Sequence, residues 1–297
     1  MKTLRGYIYI MIAVLFWGIM ATVAKYLFTH NVDTLIIVQT RSSLAFLLLL
    51  GYFTVTNREV LKIRRQGLGS FILLGVIGIA CTNFTYYFTV KETTVATAIL
   101  IQYIAPVLVT IYAIAFHEEQ FTRVKILALI LSMVGCFLAV SGGNVTAIRL
   151  HGIGLVTGIS SALTFTFMII LSKHILRRYQ NWTMLIYAFG FAALFWLLIN
   201  TPAKIISQGY TLHDWGIFLL FSICSVLIPY SFFSAGLHLV QASRASIVGT
   251  LEPVVAIISA FIILGEQLNG IQVIGAAAVI IAVGLLEIKR EEQEVEL

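Results

Sequence analysis

The segment Leu251-Glu252-Pro253-Val254, followed by Gly265-Glu266-Gln267, has a counterpart 147 residues earlier in the chain. That counterpart is Ala105-Pro106-Val107, followed by Glu119-Gln120 at the same spacing. The same offset aligns the apolar segments that surround the two prolines. The sequence therefore predicts that the chain contains two copies of one structural unit.

Both copies consist of apolar segments long enough to cross a lipid bilayer. Hydrophobic residues make up 60% of the 297 positions and charged residues only 11%, whereas soluble domains average about 25% charged. A helix needs about 20 mainly apolar residues to span the hydrocarbon core. We therefore predict an all-α membrane protein with ten transmembrane helices: Gly6 to Phe28, Thr34 to Val55, Gly67 to Val90, Thr93 to Phe116, Val124 to Val140, Gly152 to Leu171, Thr183 to Asn200, Trp215 to Leu237, Ala245 to Leu264 and Ile271 to Ile288.

The repeat divides these helices into two groups of five. Residues 1–141 form the first five-helix repeat and residues 142–151 a turn-rich linker. Residues 152–297 form the second repeat, with a short charged cytoplasmic tail. Because five is an odd number of crossings, the second copy must be inverted relative to the first. Inverted repeats of this kind are typical of secondary transporters.

The basic residues follow the loops on one side of the predicted bundle. Most of the 19 Lys and Arg residues fall on that side, with clusters at Arg58 to Arg65 and at Lys173 to Arg178. Cytoplasmic loops carry such an excess of positive charge, so both termini are expected in the cytoplasm. The charge does not form one patch, and no nucleic-acid partner is expected.

Glu252 is the one carboxylate near the middle of a predicted span. An acidic residue at the bilayer centre costs roughly 2.5 to 3.5 kcal/mol, which makes it a candidate functional group. Arg41 in the second span is the best partner for it. Either the two charges neutralise each other structurally, or they bind the ammonium and carboxylate of a zwitterion, or Glu252 takes up a proton.

Two prolines and a set of polar and aromatic residues complete the candidate site. Pro106 and Pro253 lie at equivalent positions inside helices, where the missing N–H predicts a kink. Kinked backbone at membrane depth is tolerated against protein or a water-lined cavity. The other candidate substrate-binding residues, which could instead be buried groups with satisfied hydrogen bonds, are Trp17, Asn83, Tyr86, Gln102, Tyr103, Tyr230 and Ser234.

Motifs for catalysis, metals and nucleotides are missing from the sequence. Cys81, Cys136 and Cys224 show no metal-ligand spacing, and no His-Glu-x-x-His or phosphate-binding Gly-x-x-x-x-Gly-Lys segment occurs. We therefore expect no metal, no cofactor and no enzymatic activity, with a membrane-embedded enzyme as a remote alternative. Transport would depend on a substrate or ion gradient.

These features together resemble the EamA-type branch of the drug/metabolite transporter superfamily. The resemblance rests on Trp17-Gly18, on Arg41 in the second span, and on a proline followed by Glu-Gln in both halves. The first half departs from the pattern at His117-Glu118, and Thr164 to Thr166 replace a Trp-Gly pair in the sixth span.

The resemblance implies a central cavity and the export of amino acids or related small polar metabolites across a bacterial inner membrane. An exporter of hydrophobic or cationic drugs is the alternative, because aromatic rings and one carboxylate also suit a cation. The partners expected are a small-molecule substrate and the lipid bilayer. Gly275 to Ala278 and Gly284 suit close packing either inside the bundle or against a second copy in a homodimer.

Overall fold

The computed structural model describes residues 2–29, 33–144 and 152–295, and every regular element within these ranges is helical. This confirms the all-α membrane class. Nine segments among the described residues are long and apolar enough to span a membrane: Thr3–Ala24, Leu35–Thr56, Arg65–Glu92, Val95–Ala115, Arg123–Ser141, Gly152–Leu176, Asn181–Ile199, Leu212–Leu239 and Ala242–Ile263.

The tenth predicted span is helical but has a shorter apolar part than the other nine. The helix runs over Gly270–Val295, and its apolar portion covers Gly270–Leu286. The remaining residues carry the charged tail. A tenth crossing therefore stays a prediction. Most of the predicted linker, residues 145–151, lies outside the described residues.

Helices of the first half begin at polar caps that the sequence supplies. Asp33 accepts the backbone N–H of Leu35 at 2.8 Å, and Thr94 accepts that of Thr97 at 3.0 Å, as expected for N-cap residues. The helices are α1 (Lys2–Thr29), α2 (Thr34–Thr56), α3 (Leu68–Leu73), α4 (Thr82–Glu92), α5 (Val95–Gln102), α6 (Ala105–Ala115) and α7 (Arg123–Ser141), with short 3₁₀ turns at Arg58–Leu61 and Arg65–Gly67.

The second half follows the same order of elements. Its helices are α8 (Gly152–Leu176), α9 (Asn181–Ile199), α10 (Pro202–Ile206), α11 (Leu212–Ser222), α12 (Ile228–Leu239), α13 (Ala242–Gly249), α14 (Glu252–Leu264) and α15 (Gly270–Val295). The short helix α10 was not predicted, because five residues are too few to show a period.

Two spans contain a stretch of π-helix that the sequence analysis did not foresee. One covers Leu74–Cys81 between α3 and α4, and the other covers Ile223–Leu227 between α11 and α12. The second stretch lies 147 residues after Val76 to Ala80. A π-turn accommodates an extra residue in a helix and is frequent at functional sites.

Glycines allow α7 and α15 to pack with their backbones in contact. A Cβ atom added to Gly275 would lie 2.3 Å from the backbone nitrogen of Ala139 and 2.7 Å from the carbonyl oxygen of Gly135. Small residues permit such close approach where lipid supplies no hydrophobic driving force. The glycine at 275 therefore packs inside this chain, as one of the two alternatives predicted.

Replacing Gly275 with valine is expected to separate α7 from α15. The new side chain meets backbone atoms that cannot move alone, and overpacking of this kind costs typically about 1–3 kcal/mol. Detergent-induced unfolding of the purified protein measures the loss. The matched control is Gly284→Val, because a Cβ at Gly284 meets nothing within 4 Å; equal losses for the two variants would contradict the packing argument.

Candidate functional site

A cavity lies between α1, α2, α4, α5, α8, α12 and α14. Its empty volume is about 840 Å³ when its open mouth is counted. Apolar side chains line the part nearest the end of α1 and the start of α5, and polar groups line the deeper part. The lining residues are Trp17, Met20, Ala21, Ala24, Arg41, Thr82, Asn83, Tyr86, Tyr87, Val90, Val95, Gln102, Tyr103, Phe165, Ser225, Tyr230 and Glu252.

Of the nine substrate-binding residues predicted from the sequence, this cavity gathers eight: Trp17, Arg41, Asn83, Tyr86, Gln102, Tyr103, Tyr230 and Glu252. The ninth, Ser234, does not line it. Its hydroxyl is within 2.5 Å of both Asn181 Oδ1 and the carbonyl oxygen of Tyr230. Ser234 therefore ties α12 to α9, and a direct role in the cavity is not supported by its position.

Arg41 is buried and is held by neutral groups. Its guanidinium donates to the hydroxyl of Tyr87 and, at 3.1 Å, to the carbonyl oxygen of Ser225. The rings of Tyr87 and Phe221 each lie 5.3 Å from its central carbon, which adds cation–π attraction. The side chain is 5% exposed and its Nε has no hydrogen-bond partner among the described residues.

Glu252 is held at the first turn of α14. Its carboxylate accepts a hydrogen bond of 2.8 Å from the hydroxyl of Tyr103, and a negative charge is favoured at a helix N-terminus. The same hydroxyl lies 3.0 Å from the carbonyl oxygen of Gly249. Tyr103 thus contacts both ends of the break that separates α13 from α14.

The direct ion pair between Arg41 and Glu252, one of the three alternatives for these charges, is not formed. Each side chain lines the cavity, but the ion pairs found among the described residues do not join them. Arg41 instead bonds to Tyr87, and Glu252 to Tyr103. A tyrosine hydroxyl binds each group, and each side chain faces the cavity without an opposite charge beside it.

Both helices that contain a predicted kink are interrupted at that point. In the first half α5 ends at Gln102 and α6 begins at Ala105, next to Pro106. In the second half α13 ends at Gly249 and α14 begins at Glu252, next to Pro253. Each proline lacks the N–H that a continuous helix would use. These breaks bring Tyr103 and Glu252 to the cavity.

A close approach of α1 fixes the position of Glu252. A Cβ on Gly18 would lie 2.6 Å from Val255 and 2.9 Å from the carbonyl oxygen of Glu252. The hydroxyls of Thr22 and Ser259 meet at 2.7 Å one turn further along the same pair of helices. Glycine at position 18 therefore allows Trp17 and Glu252 to face the same cavity.

Aromatic rings pack around the deep end of the cavity. Trp17 contacts Tyr230 edge to face, with ring centroids 5.3 Å apart, and Tyr86 contacts Tyr87 at the same centroid distance. Asn83 donates to the hydroxyl of Tyr230 at 3.4 Å. Such rings shape an apolar wall with polar tips.

Sequence reasoning missed nine of the 17 residues that line the cavity, among them Thr82, Phe165 and Ser225. Thr82 and Ser225 lie at or beside the two π-turns, which change the face that each helix presents. The hydroxyl of Thr82 is buried without a hydrogen-bond partner among the described residues. A ligand with a suitable polar group could satisfy it.

An ionic cluster joins the loop after α6, the end of α8 and the starts of α7 and α13. We define it as Glu118, Glu119, Lys125, His174, Arg177 and Ser243. Glu119 accepts from the ammonium of Lys125 at 2.8 Å, from the backbone N–H of Ser243 at 3.1 Å, and from the Ser243 hydroxyl. Glu118 pairs with Arg177 at 3.0 Å.

The ionic cluster joins helices of both halves. The loop after α6 contributes Glu119, and Ser243 lies in the first turn of α13. Lys173 connects α8 to the end of α12, because its ammonium donates to the carbonyl oxygens of Leu237 and Val240, each at 2.6 Å. The repeat did not indicate this cluster, since Lys125 and Ser243 correspond to Gln272 and Ala96.

Comparisons with known proteins agree with this architecture. A solved crystal structure superposes with a TM-score of 0.79, covering 99% of this chain and 98% of the other at 15% sequence identity. That likeness shows the fold alone. Among relatives by sequence, the uncharacterized inner membrane transporter YicL of Salmonella typhimurium is 24% identical over 275 residues, 89% of each chain.

Two further relatives are also described as transport proteins. An uncharacterized transporter of Archaeoglobus fulgidus is 25% identical, with 97% of this chain and 100% of the relative covered. The threonine/homoserine exporter RhtA of Salmonella typhimurium is 23% identical, with 85% and 82% covered. The model of the EamA-like transporter family matches twice, at residues 4–141 and 152–288. The chain is a multi-pass membrane protein and belongs to the EamA-like transporter family.

Proposed function

We propose that this protein is a secondary active transporter that exports amino acids or related small polar metabolites by alternating access. The observation that carries the proposal is the pair of opposite charges, Arg41 and Glu252, that line one cavity without contacting each other. A buried charge without a counter-ion is costly. A zwitterionic ligand would supply both counter-ions at once.

The chemistry of each end of the cavity fits such a ligand. Arg41 presents a planar guanidinium that suits a carboxylate, and its Nε has no hydrogen-bond partner among the described residues. Glu252 presents a carboxylate that suits an ammonium group. Trp17 and Tyr230 line the wall, where they would contact an apolar side chain.

Alternating access requires two structural halves that move relative to each other, and several features support an inverted duplication. The offset of 147 residues relates the two π-turns, and it also relates the breaks at Pro106 and Pro253. The family model matches each half separately. We infer two five-helix repeats, residues 1–141 and 152–297, joined by 142–151, with α15 as the tenth crossing.

The positive charge on one side of the bundle supports the orientation of this proposal. With both termini in the cytoplasm of a bacterial cell, the ionic cluster lies at the cytoplasmic end and the cavity mouth opens to the outside. The ionic cluster would then be the inner closure of an outward-open state. Export requires that it open, so that substrate enters from the cytoplasm.

Amino-acid export has one further support. The relative RhtA is a threonine/homoserine exporter, although 23% identity over the aligned region does not by itself assign a substrate. Transport must be driven by a gradient, and Glu252 is the group best placed to carry a proton. The family consists of transporters, which points away from an enzyme.

Counterflow into proteoliposomes loaded with a panel of compounds tests the proposal. The panel comprises neutral amino acids, nucleosides, and the cationic dye ethidium. We expect exchange of one or more amino acids and no exchange of the dye, because Arg41 repels a cation. Exchange of ethidium without any amino acid would replace the proposal by the cationic-drug alternative, which the aromatic wall of the cavity favours.

A further inference from the structure

A single hydroxyl stands between the carboxylate of Glu252 and the broken backbone of its helix. Pro253 has no N–H, so the carbonyl oxygen of Gly249, four residues earlier, loses its usual helical donor. The hydroxyl of Tyr103 occupies that donor position at 3.0 Å and also lies 2.8 Å from Glu252 Oε2. One O–H group thus serves two acceptors.

Tyr103 itself belongs to the other helix break. It follows the last residue of α5, and α6 begins two residues later. Its hydroxyl therefore links the break near Pro106 to the break near Pro253. Thr250, which occupies the equivalent position in the second half, donates instead to Ile247 of its own helix. Tyr103 of the first break therefore bonds to the second break, whereas Thr250 of the second break does not bond to the first.

The hydrogen bond from Tyr103 to the Gly249 carbonyl depends on the charge of Glu252, because the hydroxyl has one proton to donate. A hydroxyl carries one proton and cannot donate fully to two acceptors. An ionised carboxylate is the stronger acceptor, so it takes the proton of Tyr103 and leaves the Gly249 carbonyl weakly bonded. A protonated carboxyl has its own O–H and can donate to the Tyr103 oxygen. Tyr103 is then free to donate to Gly249.

We propose that Tyr103 is a positioning residue that transmits the protonation state of Glu252 to the two helix breaks. Protonation of Glu252 strengthens the bond from Tyr103 to the Gly249 carbonyl and ties the breaks together. Ionisation weakens that bond and releases the breaks. This inference rests on the proposed role of Glu252 as a proton-accepting group of the transport cavity.

Glu252 is the carboxylate whose protonation can change the hydrogen bonds of Tyr103. Among the described residues no other carboxylate lines the cavity, and the nearest titratable or charged side chains are hydroxyls, one thiol and one guanidinium. They are Tyr103 beyond α5, Tyr86 and Tyr87 on α4, Tyr230 on α12, Cys136 on α7, and Arg41 on α2; the cavity-lining residues of α1 whose side chains are described carry no charge. Cys136 donates to the carbonyl oxygen of Thr250 at 3.4 Å, one residue after Gly249.

Infrared difference spectroscopy of the reconstituted protein tests the proposal without a known substrate. The protein is labelled with ¹³C at the carbonyl of its 22 glycines, and spectra are compared across a pH titration. We expect a carboxyl band that appears on acidification and is missing from Glu252→Gln, and a glycine carbonyl band that shifts to lower frequency with the same midpoint. Gly249→Ala assigns that band, since a Cβ there meets nothing within 4 Å.

Variants separate the protonation of Glu252 from its effect on the Gly249 carbonyl, which together we call the switch. Tyr103→Phe should keep the carboxyl band and lose the shift of the Gly249 band, and Glu252→Gln should lose both. The matched control is Tyr86→Phe, which removes a hydroxyl of the same cavity that makes neither bond; it should retain both bands. A Gly249 shift that persists in Tyr103→Phe would overturn the proposal.

Two outcomes in the unmodified protein also decide the matter, even if Tyr103→Phe does not fold. A carboxyl band that titrates while the Gly249 carbonyl stays constant would overturn the switch and leave the proposed transport function intact. The proposed function fails separately, when counterflow finds no amino-acid exchange. If no titrating carboxyl band differed between the unmodified protein and Glu252→Gln, Glu252 would be removed as a proton carrier and the switch with it.

Discussion

Replacing Glu252 with glutamine is expected to lower the apparent affinity for the proposed amino-acid substrate by roughly 30-fold or more. Removing one partner of a buried charge interaction costs about 2–5 kcal/mol, and 2 kcal/mol corresponds to about 30-fold in affinity. Glutamine keeps an acceptor for Tyr103 but offers no charge to an ammonium group. Counterflow in proteoliposomes measures the change.

The pH dependence of the same variant is a second readout. In the unmodified protein acidification protonates Glu252 and removes the negative charge that holds the ammonium group. Apparent affinity should therefore fall as pH falls. Glutamine gains no proton in this range, so the affinity of Glu252→Gln should not vary with pH. The matched control is Glu59→Gln, since Glu59 is 73% exposed on a loop.

Arg41→Gln provides the complementary measurement with the same substrate. It should weaken binding through loss of the carboxylate contact while leaving the pH dependence in place. Transport at unchanged rate and affinity by both variants, at normal expression, would remove the two charges from the site and leave them as structural groups.

Replacing Glu119 with alanine is expected to destabilise the protein by about 3–5 kcal/mol, the usual result of breaking a buried ion pair. The side chains of Lys125 and Glu119 are only 2% and 5% exposed. The substitution leaves the Lys125 ammonium without its anion and the Ser243 N–H without its acceptor. Unfolding of the purified protein by titration with a denaturing detergent measures the loss.

The exposed pair Lys62–Glu59 is the matched control for this prediction. Both of its side chains are more than two-thirds exposed, and such pairs contribute roughly 0–1 kcal/mol. The double variant Glu119→Ala with Lys125→Ala should recover part of the loss, because it also removes the unpaired charge. A Glu119→Ala variant no less stable than Glu59→Ala would show that the ionic cluster does not hold the bundle end closed.

Composition and the repeat predicted the all-α membrane class and eight of the 17 residues that line the cavity. Glu252 and Arg41 were identifiable because charges are rare and costly inside apolar spans. The prolines were identifiable because they recur at the same offset. Both signals, the rare charges and the recurring prolines, depend on the type of residue and its position along the chain. They do not depend on which way a helix face points.

The errors have a different physical origin. Ser234 was predicted in the cavity, but a serine in a helix can bond to a carbonyl one turn earlier, as Ser234 does with Tyr230. The direct salt bridge, one of the alternatives left open, does not form because tyrosine hydroxyls bind Arg41 and Glu252 instead. Thr82 and Ser225 were missed because periodicity assumes an unbroken α-helix, and the ionic cluster because its partners come from distant loops.

The paired π-turns have a consequence for how related transporters diversify. Each turn accommodates one additional residue, and one residue corresponds to a rotation of about 100° in an α-helix with 3.6 residues per turn. Deleting that residue would rotate everything beyond it and carry Asn83 and Tyr86 away from the cavity, while α3 kept its packing. Insertions and deletions at the two π-turns would therefore replace many of the side chains that line the cavity at once, while the rest of the helix packing stays the same.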